Sequence, residues 1–437
     1  MRVERRGRIV LICLVVNRCF REEPGERIEV VQYFQAGGFR GISKGEGEQG
    51  RGGSGRGIDR GVRTGPEREP VQIVESESSG SYFPPPVRMV ERPKSGGNGV
   101  RVLGVPTVAD RIAQTVVAMY LEPGVEKVFH PDSYGYRPGR SALDAVGVCR
   151  ERCWRTDWVI DLDIQGFFDN LDHDLVLRAV AHHTDLPWVL LYVKRWLTAP
   201  VQRPDGTLIS RDRGSPQGSA ISPLLANLFM HYAFDAWMAR EFPTIEFERY
   251  CDDVVVHCRT PAMAHRVREA IADRLAECGG LQLHPVKTRI VYCKDARRRG
   301  SAEHTSFTFL GYEFRVRKVR TKTGRYLFGF NPAISKDAGK RLRREIRSWR
   351  LHHRSGSTLE QLAAEVNPVT RGWINYYGAF RPSELQYTLN RINDFLMRWL
   401  LQKYKRFHGS QRRAWDALGK AALDRPTLFA HWRLAAP

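Results

Sequence analysis

Two adjacent carboxylates, Asp252 and Asp253, lie in the segment FERYCDDVVVH at residues 247–257. The aromatic residues before them and the valines after them favour strands, so the segment predicts a β-hairpin with the aspartates at or beside its turn. Neighbouring strand residues point in different directions, so one or both carboxylates could reach a metal ion. Buried carboxylates are costly unless they are paired or bound to a cation. By itself the segment fits a metal site and a solvated Asp-Asp turn equally well.

A second acidic segment, VIDLDIQGFFD, occupies residues 159–169. Asp161 and Asp163 alternate with apolar residues, and this period of two places both carboxylates on one face of a strand. A cation-binding strand and a soluble edge strand both fit the pattern.

The segment RGSPQGSAISP at residues 213–223 is a Gly/Pro/Ser loop that opens a helical run over residues 224–240. Small residues let the backbone approach a ligand, and a helix start favours anionic groups. The loop is therefore a candidate phosphate-binding element, although it does not match the Walker pattern.

The remaining sequence predicts the elements that must hold these segments in place. Residues 87–91 and 100–105 favour strands joined by a Gly-rich turn, with Lys94 and Arg101 beside it. This basic hairpin could grip a triphosphate or a template strand, or it could be a solvated turn. Further elements are predicted along the chain: helices from Thr107 to residue 118 and over 141–153, 174–183 and 262–278, a strand after the turn within 281–291, and one strand over 307–316.

The charge is distributed unevenly along the 437 residues, which carry a formal net charge of +21. From Lys294 to the end there are 30 Lys and Arg against 11 Asp and Glu, whereas the preceding residues carry 39 against 37. A basic terminal third attached to a nearly neutral body points to a polyanionic partner, nucleic acid being the first candidate.

This basic third predicts helices over 335–351, 358–366 and 383–407. Three aromatic residues between the last two helices, Trp373, Tyr376 and Tyr377, are interpreted as core rather than as base-stacking groups. The last helix has an apolar stripe for packing. Its other side carries the cations that we predict to bind RNA: Arg391, Arg398, Lys403, Lys405 and Arg406.

The eight cysteines include no Cys-x-x-Cys pair with a matching partner pair, which argues against a zinc ribbon and favours the reduced thiols of a cytoplasmic protein. The apolar run over residues 9–16 is too short to span a membrane and lacks a clear cleavage site, so we expect neither export nor a membrane partner. Residues 1–74 are rich in Gly, Arg and Glu and cannot bury enough surface to offset their ordering entropy. We interpret them as a disordered or incorrectly translated leader in preference to an RNA-binding tail.

An acidic strand, an acidic hairpin and a basic terminal third together predict carboxylates that hold divalent cations over a nucleic-acid substrate. Hard oxygen ligands suit Mg²⁺, which keeps waters and substrate phosphates in its shell. Two such ions about 3.5–4 Å apart can activate an attacking hydroxyl and neutralise a leaving pyrophosphate.

Residues 79–437 resemble the bacterial group II intron-encoded reverse transcriptase/maturase family. The resemblance implies an α+β right-hand polymerase, whose fingers and palm with an antiparallel sheet occupy residues 75–325, followed by an α-helical thumb/maturase domain over residues 326–437. It rests on six blocks in the family's order and on a segment similar to the maturase-specific one: GVRVLGVP (99–106), SYGYRPGRS (133–141), DIQGFFD (163–169), GSPQGS (214–219), YCDD (250–253), HPVKT (284–288) and NPVTRGWINYYG (367–378).

The resemblance also implies the site residues. Asp163, Asp252 and Asp253 match the catalytic, metal-binding carboxylates, and the backbone of Ile164 could add a ligand to the two Mg²⁺ ions. Asp161 is not a ligand in this alignment. The nucleotide-binding residues that it implies are Phe168, Gln217, Gly218, Lys94, Arg101 and Lys287.

The implied activity is RNA-directed DNA synthesis by two-metal nucleotidyl transfer, together with maturation of intron RNA. The expected partners are group II intron RNA, an RNA template with a DNA primer, and dNTPs. We find no counterpart of the family's helical N-terminal extension in residues 1–74, and no Cys-pair/His endonuclease segment. Two alternatives stay open: an RNA-binding splicing factor without polymerase activity, and an inactive, N-terminally disrupted intron remnant.

Overall fold

The computed structural model describes residues 81–93, 100–298, 300–320 and 324–437, so the predicted leader and Lys94 lie outside the described residues. The strands are β1 (Val87–Pro93), β2 (Val100–Val105), β3 (Trp158–Leu162), β4 (Val201–Gln202), β5 (Leu208–Ile209), β6 (Phe247–Tyr250), β7 (Asp253–Cys258), β8 (Arg289–Tyr292), β9 (Ser306–Phe309), β10 (Tyr312–Arg320) and β11 (Tyr326–Ile334).

The α-helices are α1 (Val108–Val125), α2 (Ala142–Arg155), α3 (His173–Ala181), α4 (Pro187–Thr198), α5 (Ser222–Met230), α6 (Ala236–Glu241), α7 (Pro261–Glu277), α8 (Lys336–Ser348), α9 (Leu359–Tyr377), α10 (Pro382–Lys403) and α11 (Gln411–Asp424). A π-helical segment, His231–Asp235, joins α5 to α6. Short 3₁₀ segments are Phe167–Asp169, Leu351–His353, Lys405–Phe407 and Ala430–Arg433. The α+β class predicted from the sequence is confirmed.

A central sheet has the strand order β6-β7-β3-β8 and places both acidic segments side by side. Strand β3 pairs antiparallel with β7 along its whole length and with β8 on its other edge. Because strand side chains alternate between faces, Val254 and Val256 enter one apolar core while Val255 enters another on the opposite face. The predicted acidic strand is therefore the sheet's interior, not a solvent-exposed edge.

A second sheet has the order β2-β1-β4-β5 and contains the predicted N-terminal hairpin. Strands β1 and β2 pair antiparallel, and β4 adds to β1 in parallel. The two predicted strands at residues 87–91 and 100–105 are confirmed.

The segment predicted as one strand over residues 307–316 is instead two antiparallel strands, β9 and β10. Leu310 and Gly311 form the turn between them, with φ of 49° and 78°. A two-residue turn with positive φ at both central residues matches the twist of a hairpin, but Leu310 is not a typical turn residue, so the turn was missed. Strand β10 then pairs with β11 through residue 326. The predicted domain boundary between residues 325 and 326 falls within this hairpin and stays a prediction.

The helices confirm most of the sequence-based predictions and correct one. Helix α1 begins at a capping box formed by Thr107 and Asp110, as its sequence indicated. The helix predicted over residues 358–366 continues through Pro368 to Tyr377 as α9, because buried residues on both sides of the proline hold it against the core. Trp373 consequently lies on this helix, where it stacks on Trp349 with ring centroids 5.4 Å apart, which supports a packing role.

Two apolar cores flank the central sheet. One lies under α1, α3, α4, α5 and α7. The other joins α2, the sheet β9–β11 and the C-terminal helices to the opposite face of the central sheet. The basic C-terminal helices therefore share a core with the sheet that carries the acidic residues. Among the described residues no helix combines the length and apolar character needed to cross a membrane.

Candidate active site

The predicted acidic hairpin is present. Strands β6 and β7 pair up to Tyr250 and Asp253, which leaves Cys251 and Asp252 as a two-residue turn. Cys251 is buried and has φ of 60°, a left-handed conformation that costs about 1–3 kcal/mol for a non-glycine residue. Contacts with neighbouring residues must therefore stabilise this strained turn.

Arg249 supplies that support. Its side chain is fully buried and forms two hydrogen bonds with Asp235, at 2.7 and 2.6 Å. It also donates to the carbonyl oxygen of Cys251 at 2.9 Å, so that it contacts the turn directly. Its remaining N–H groups donate to Asn227 and Ser133. Every donor of the guanidinium is used, which is the condition under which a buried charge is tolerated.

Gly135 packs against the other side of the turn. A Cβ atom at this position would lie 2.6 Å from the backbone nitrogen of Cys251, closer than atoms can approach. The flanking chain is pinned to β6 because Tyr134 donates its backbone N–H to the Arg249 carbonyl at 2.8 Å. The segment SYGYRPGRS thus contacts the hairpin through backbone, which requires glycine at its centre.

Asp163 follows the end of β3, the strand that pairs directly with β7 of this hairpin. The last residue pair between β3 and β7 is Leu162 with Val254, so Asp163 and Asp253 are the next residues on the two strands. Asp163 is half-buried and forms an ion pair with Lys287 at 3.1 Å. The structure thus brings together the predicted carboxylates of both segments, with the predicted lysine beside one of them. Ile164 follows directly and bridges to Leu283.

Asp161 is part of the same acidic group, although the sequence comparison did not assign it a role. Its pKa is raised to about 7, first by burial and then by the negative charge of Asp253, with a smaller contribution from Asp163; Arg289 opposes the shift. Mutual repulsion among these carboxylates is the arrangement that a divalent cation relieves.

The donor set fits Mg²⁺, which prefers carboxylate oxygens. Within the part of the chain that the structure describes, the side-chain oxygens of Asp163, Asp252 and Asp253 do not all lie within 4.8 Å of one another. Mg²⁺ commonly completes its coordination shell with waters and substrate phosphates.

The Gly/Pro/Ser loop docks against β2 and against the chain that follows Asp163. Gln217 accepts a backbone hydrogen bond from Gly104 of β2 at 3.1 Å, and Ser215 donates to the carbonyl of Phe168 at 2.7 Å. Gly218 has φ of 126°, and a Cβ there would lie 2.9 Å from the Gly104 carbonyl oxygen. The loop thus links β2, which carries Arg101, to the chain that follows Asp163.

Gln114 anchors this loop and was missed at the sequence level. It is buried in α1 and accepts hydrogen bonds from Ser219 Oγ at 2.8 Å and from the Ala220 backbone at 2.9 Å. A polar residue on the buried side of an otherwise apolar helix was the available signal. Sequence reasoning also missed Arg249, Asp235 and Asn227, because charged and amide residues are usually found at the surface.

The predicted RNA-binding cations divide into two groups. Arg391 forms an ion pair with Asp394 at 2.7 Å, and Lys403 donates to the carbonyl of Ser357. Arg398, Lys405 and Arg406 are exposed.

Within the described residues all six cysteines are buried and free. Elsewhere among the described residues, the ligand atoms of Cys149, Glu248 and His257 lie within 4.8 Å of one another and could hold a metal. Glu248, however, already accepts from Arg152 at 2.6 Å and contacts His257 Nε2 at 2.7 Å. These pairs satisfy the buried charges without an ion.

Two segments of the chain match known protein families. Residues 92–314 match the family described as reverse transcriptase (RNA-dependent DNA polymerase), and residues 339–415 match the group II intron, maturase-specific domain.

Two relatives illustrate the extent of the similarity. Protein YkfC of Escherichia coli is 31% identical over 294 residues, which covers 58% of this chain and 73% of that protein. The group II intron-encoded protein LtrA of Lactococcus lactis is 32% identical over 165 residues, covering 38% of this chain and 27% of LtrA. A solved structure of Candida albicans telomerase with a fragment of telomeric RNA overlaps 80% of this chain and 64% of that one, at 12% identity and a TM-score of 0.46.

Proposed function

This chain belongs to the reverse transcriptase family, in the group that carries the group II intron maturase domain, and on that premise we propose that it is an RNA-directed DNA polymerase that also supports splicing of its intron RNA. Its substrates in this proposal are dNTPs and an RNA template with a DNA primer, and it acts in the cytoplasm. The observation that carries the proposal is the convergence of Asp163, Asp252 and Asp253 at one end of the central sheet.

In this proposal Asp163, Asp252, Asp253 and the backbone of Ile164 would hold two Mg²⁺ ions. When bound, the ions supply activation of the primer hydroxyl and charge neutralisation at the phosphates. Lys287 holds Asp163 in place and balances part of the negative charge. The rigid hairpin fixes the carboxylates before substrate arrives, so little reorganisation is needed when charge develops.

The nucleotide would lie between the carboxylates and the Gly/Pro/Ser loop. Phe168 and the loop residues Gln217 and Gly218 are near one another through the Ser215–Phe168 backbone bond. Phe168 would pack against the sugar and disfavour a 2′-hydroxyl, while Gln217 and Gly218 would lie along the nucleotide. Lys94 and Arg101 would meet its phosphates from the N-terminal hairpin.

The maturase part of the proposal rests on the C-terminal third. Exposed cations on and after α10 would bind the intron RNA through its phosphates. This part can persist without polymerisation, so an RNA-binding splicing factor is the second candidate, favoured by the match of residues 339–415.

The test is primer extension on an RNA template with Mg²⁺. Asp252→Asn keeps the size of the side chain and removes its charge, so it should reduce DNA synthesis by at least about a hundredfold, as expected when a group that stabilises transition-state charge is lost. Asp205→Asn, at an exposed aspartate in the β4–β5 turn, is the matched control and should retain activity. Wild-type protein that binds RNA yet makes no DNA would leave the splicing-factor alternative; unchanged synthesis by Asp252→Asn would refute the metal assignment.

A further inference from the structure

Strands β10 and β11 form a hairpin, and β11 carries a row of aromatic side chains that begins in the core and ends in solvent. Phe330 is fully buried, whereas Phe328 is 56% exposed and Tyr326 60% exposed. These three residues alternate along β11, so they point to the same face of the hairpin. Two neighbouring exposed aromatic rings form an apolar patch of the kind that marks an interaction site.

Strand β10 supplies positive charge to the same face. Lys318 is paired directly opposite Phe328, and its Nζ lies 4.2 Å from the centroid of the Tyr326 ring. Between Glu313 and Asp337 the sequence holds seven Lys and Arg and no acidic residue. Arg315 and Arg317 are paired with Glu313 and Glu384, so Lys318 is the cation that the register places on the same face as the aromatic rings. Rings beside a cation are complementary to a polyanion with flat, apolar bases.

We propose that this face, the hairpin platform formed by Lys318, Tyr326 and Phe328, binds single-stranded nucleic acid. Two successive bases stack on Tyr326 and Phe328, and the ammonium group of Lys318 pairs with a phosphate between them. The backbone positions that carry the two rings are about 7 Å apart, which is twice the rise per strand residue. That spacing lets each ring receive its own base when the bases are not stacked on each other.

The proposal rests on the proposed function in that the template of such a polymerase is a single strand. It adds a binding surface to the nucleotide site and to the exposed cations of the C-terminal helices. Duplex is disfavoured on the platform because its bases are stacked and unavailable to the rings.

The chain provides a matched control next to the platform. Leu327 is 54% exposed, between the two aromatic residues. It is paired with Val319 and so lies on the opposite face of the hairpin. A general loss of exposed apolar surface would affect Leu327→Ala as strongly as Tyr326→Ala, whereas stacking would not.

The experiment is fluorescence anisotropy of labelled oligouridine and oligothymidine with the full-length protein, without dNTPs. Tyr326→Ala and Phe328→Ala should each weaken binding about fivefold or more, while Leu327→Ala leaves it unchanged. Lys318→Ala should lower the slope of log affinity against log salt by about 0.7, the value for one phosphate contact on a single strand. Tyr326→Trp should keep the affinity and show quenched emission on binding.

Equal affinity of wild type and both aromatic variants would overturn the proposal, whatever the polymerase assay gives, because this measurement needs no catalysis. A change in oligomeric state with unchanged oligonucleotide binding would also overturn it, in favour of a protein-binding face. If the aromatic substitutions weaken binding of oligouridine more than binding of oligothymidine, the platform prefers RNA. If they weaken both equally, the platform binds single-stranded RNA and single-stranded DNA alike. Unchanged thermal unfolding of the variants excludes misfolding as the cause.

Discussion

At the scale of single residues, the candidate site depends on groups that do no chemistry themselves. Arg249 makes five hydrogen bonds beneath the acidic turn, and one of them ends on the Cys251 carbonyl. Its charge is matched by the fully buried Asp235. Removal of one partner from such a pair leaves an uncompensated buried charge, which is far more costly than removal of a surface ion pair.

We therefore expect Arg249→Ala to lower the free energy of unfolding by about 3–5 kcal/mol. Arg240→Ala is the control, because Arg240 and Glu241 form an exposed pair that contributes about 1 kcal/mol or less. Urea denaturation monitored by tryptophan fluorescence measures both. A decrease for Arg249→Ala as small as that of the control would show that the turn does not depend on this network.

His431 makes stability depend on acidity. It is buried and contacts Asn393 Oδ1 through Nε2 at 2.8 Å, and burial lowers its pKa from 6.5 to about 3. In the unfolded chain the imidazole takes up a proton near its ordinary pKa, whereas in the folded chain it does not. The unfolded state thus binds more protons between these two values, and stability falls as the pH is lowered through this window.

The expected contribution is a decrease of up to about 1.4 kcal/mol per pH unit below pH 6.5. His431→Leu should flatten this part of the profile, although it also removes a hydrogen bond and lowers stability at neutral pH. His408→Leu, at an exposed position, should leave the slope unchanged. Unfolding measured at several pH values between about 4 and 7 gives the slopes. Parallel profiles for wild type and His431→Leu would contradict the assignment.

At the scale of elements, the candidate site is built from four segments. The hairpin β6–β7 pairs with β3 and contacts the SYGYRPGRS segment, and the Gly/Pro/Ser loop contacts the chain that follows β3. The closest approach is at Gly135, where no side chain fits beside the Cys251 nitrogen. An added methyl group must therefore push the two segments apart, and the displacement is transmitted to Asp252.

Gly135→Ala should accordingly destabilise the fold by about 1–3 kcal/mol, as overpacking does, and reduce primer extension more than the smaller amount of folded protein explains. Gly124→Ala is the control, because a Cβ there meets nothing within 4 Å and alanine favours the helix. Thermal unfolding and the rate of DNA synthesis per folded molecule give the comparison. Wild-type activity in Gly135→Ala would mean that this contact does not position the carboxylates.

At the scale of the whole molecule, the basic C-terminal third and the acidic candidate-site residues are separate in the sequence but belong to parts of the fold that pack together. The acidic residues belong to a nearly neutral body, and the net positive charge is concentrated after Lys294. The second core joins these parts, because residues of the central sheet and of α8–α11 pack in one cluster. The basic third therefore packs directly on the sheet that carries the acidic residues.

The exposed cations Arg398, Lys405 and Arg406 should account for more RNA affinity than the internally paired Arg391 and Lys403. Replacement of the three by glutamate is expected to weaken RNA binding by at least about tenfold and to flatten its salt dependence, by about 0.7–0.9 for each phosphate that is no longer neutralised. The double change Arg391→Gln and Lys403→Gln is the comparison and should have a smaller effect on the slope. Titrations of RNA at several salt concentrations measure both. Equal slopes for the two variants would contradict the division.

The sequence by itself determined the local elements and the chemistry they carry. Alternating Asp and apolar residues specified the acidic strand, an Asp-Asp between strand-forming segments specified the hairpin, and the charge distribution specified a polyanionic partner. These features are local because period-two patterning and capping act over a few residues. The six motifs, in their order along the chain, then indicated a family, and the matches to known protein families confirmed it. Which residues bind the metal ions, the nucleotide and the RNA stays a prediction.

The tertiary structure decided which distant residues support the site. Arg249 and Asp235 look unremarkable in sequence, and the motif that contains Gly135 does not show which turn this glycine packs against, since these roles come from partners far along the chain. The same holds for α9, which continues past Pro368 because its packed face outweighs the cost of the proline, and for Leu310, which adopts a turn that β9 and β10 impose by pairing. Long-range packing and buried hydrogen bonds override local preference in each case. A chain read one segment at a time therefore reveals the carboxylates but not the residues that hold them.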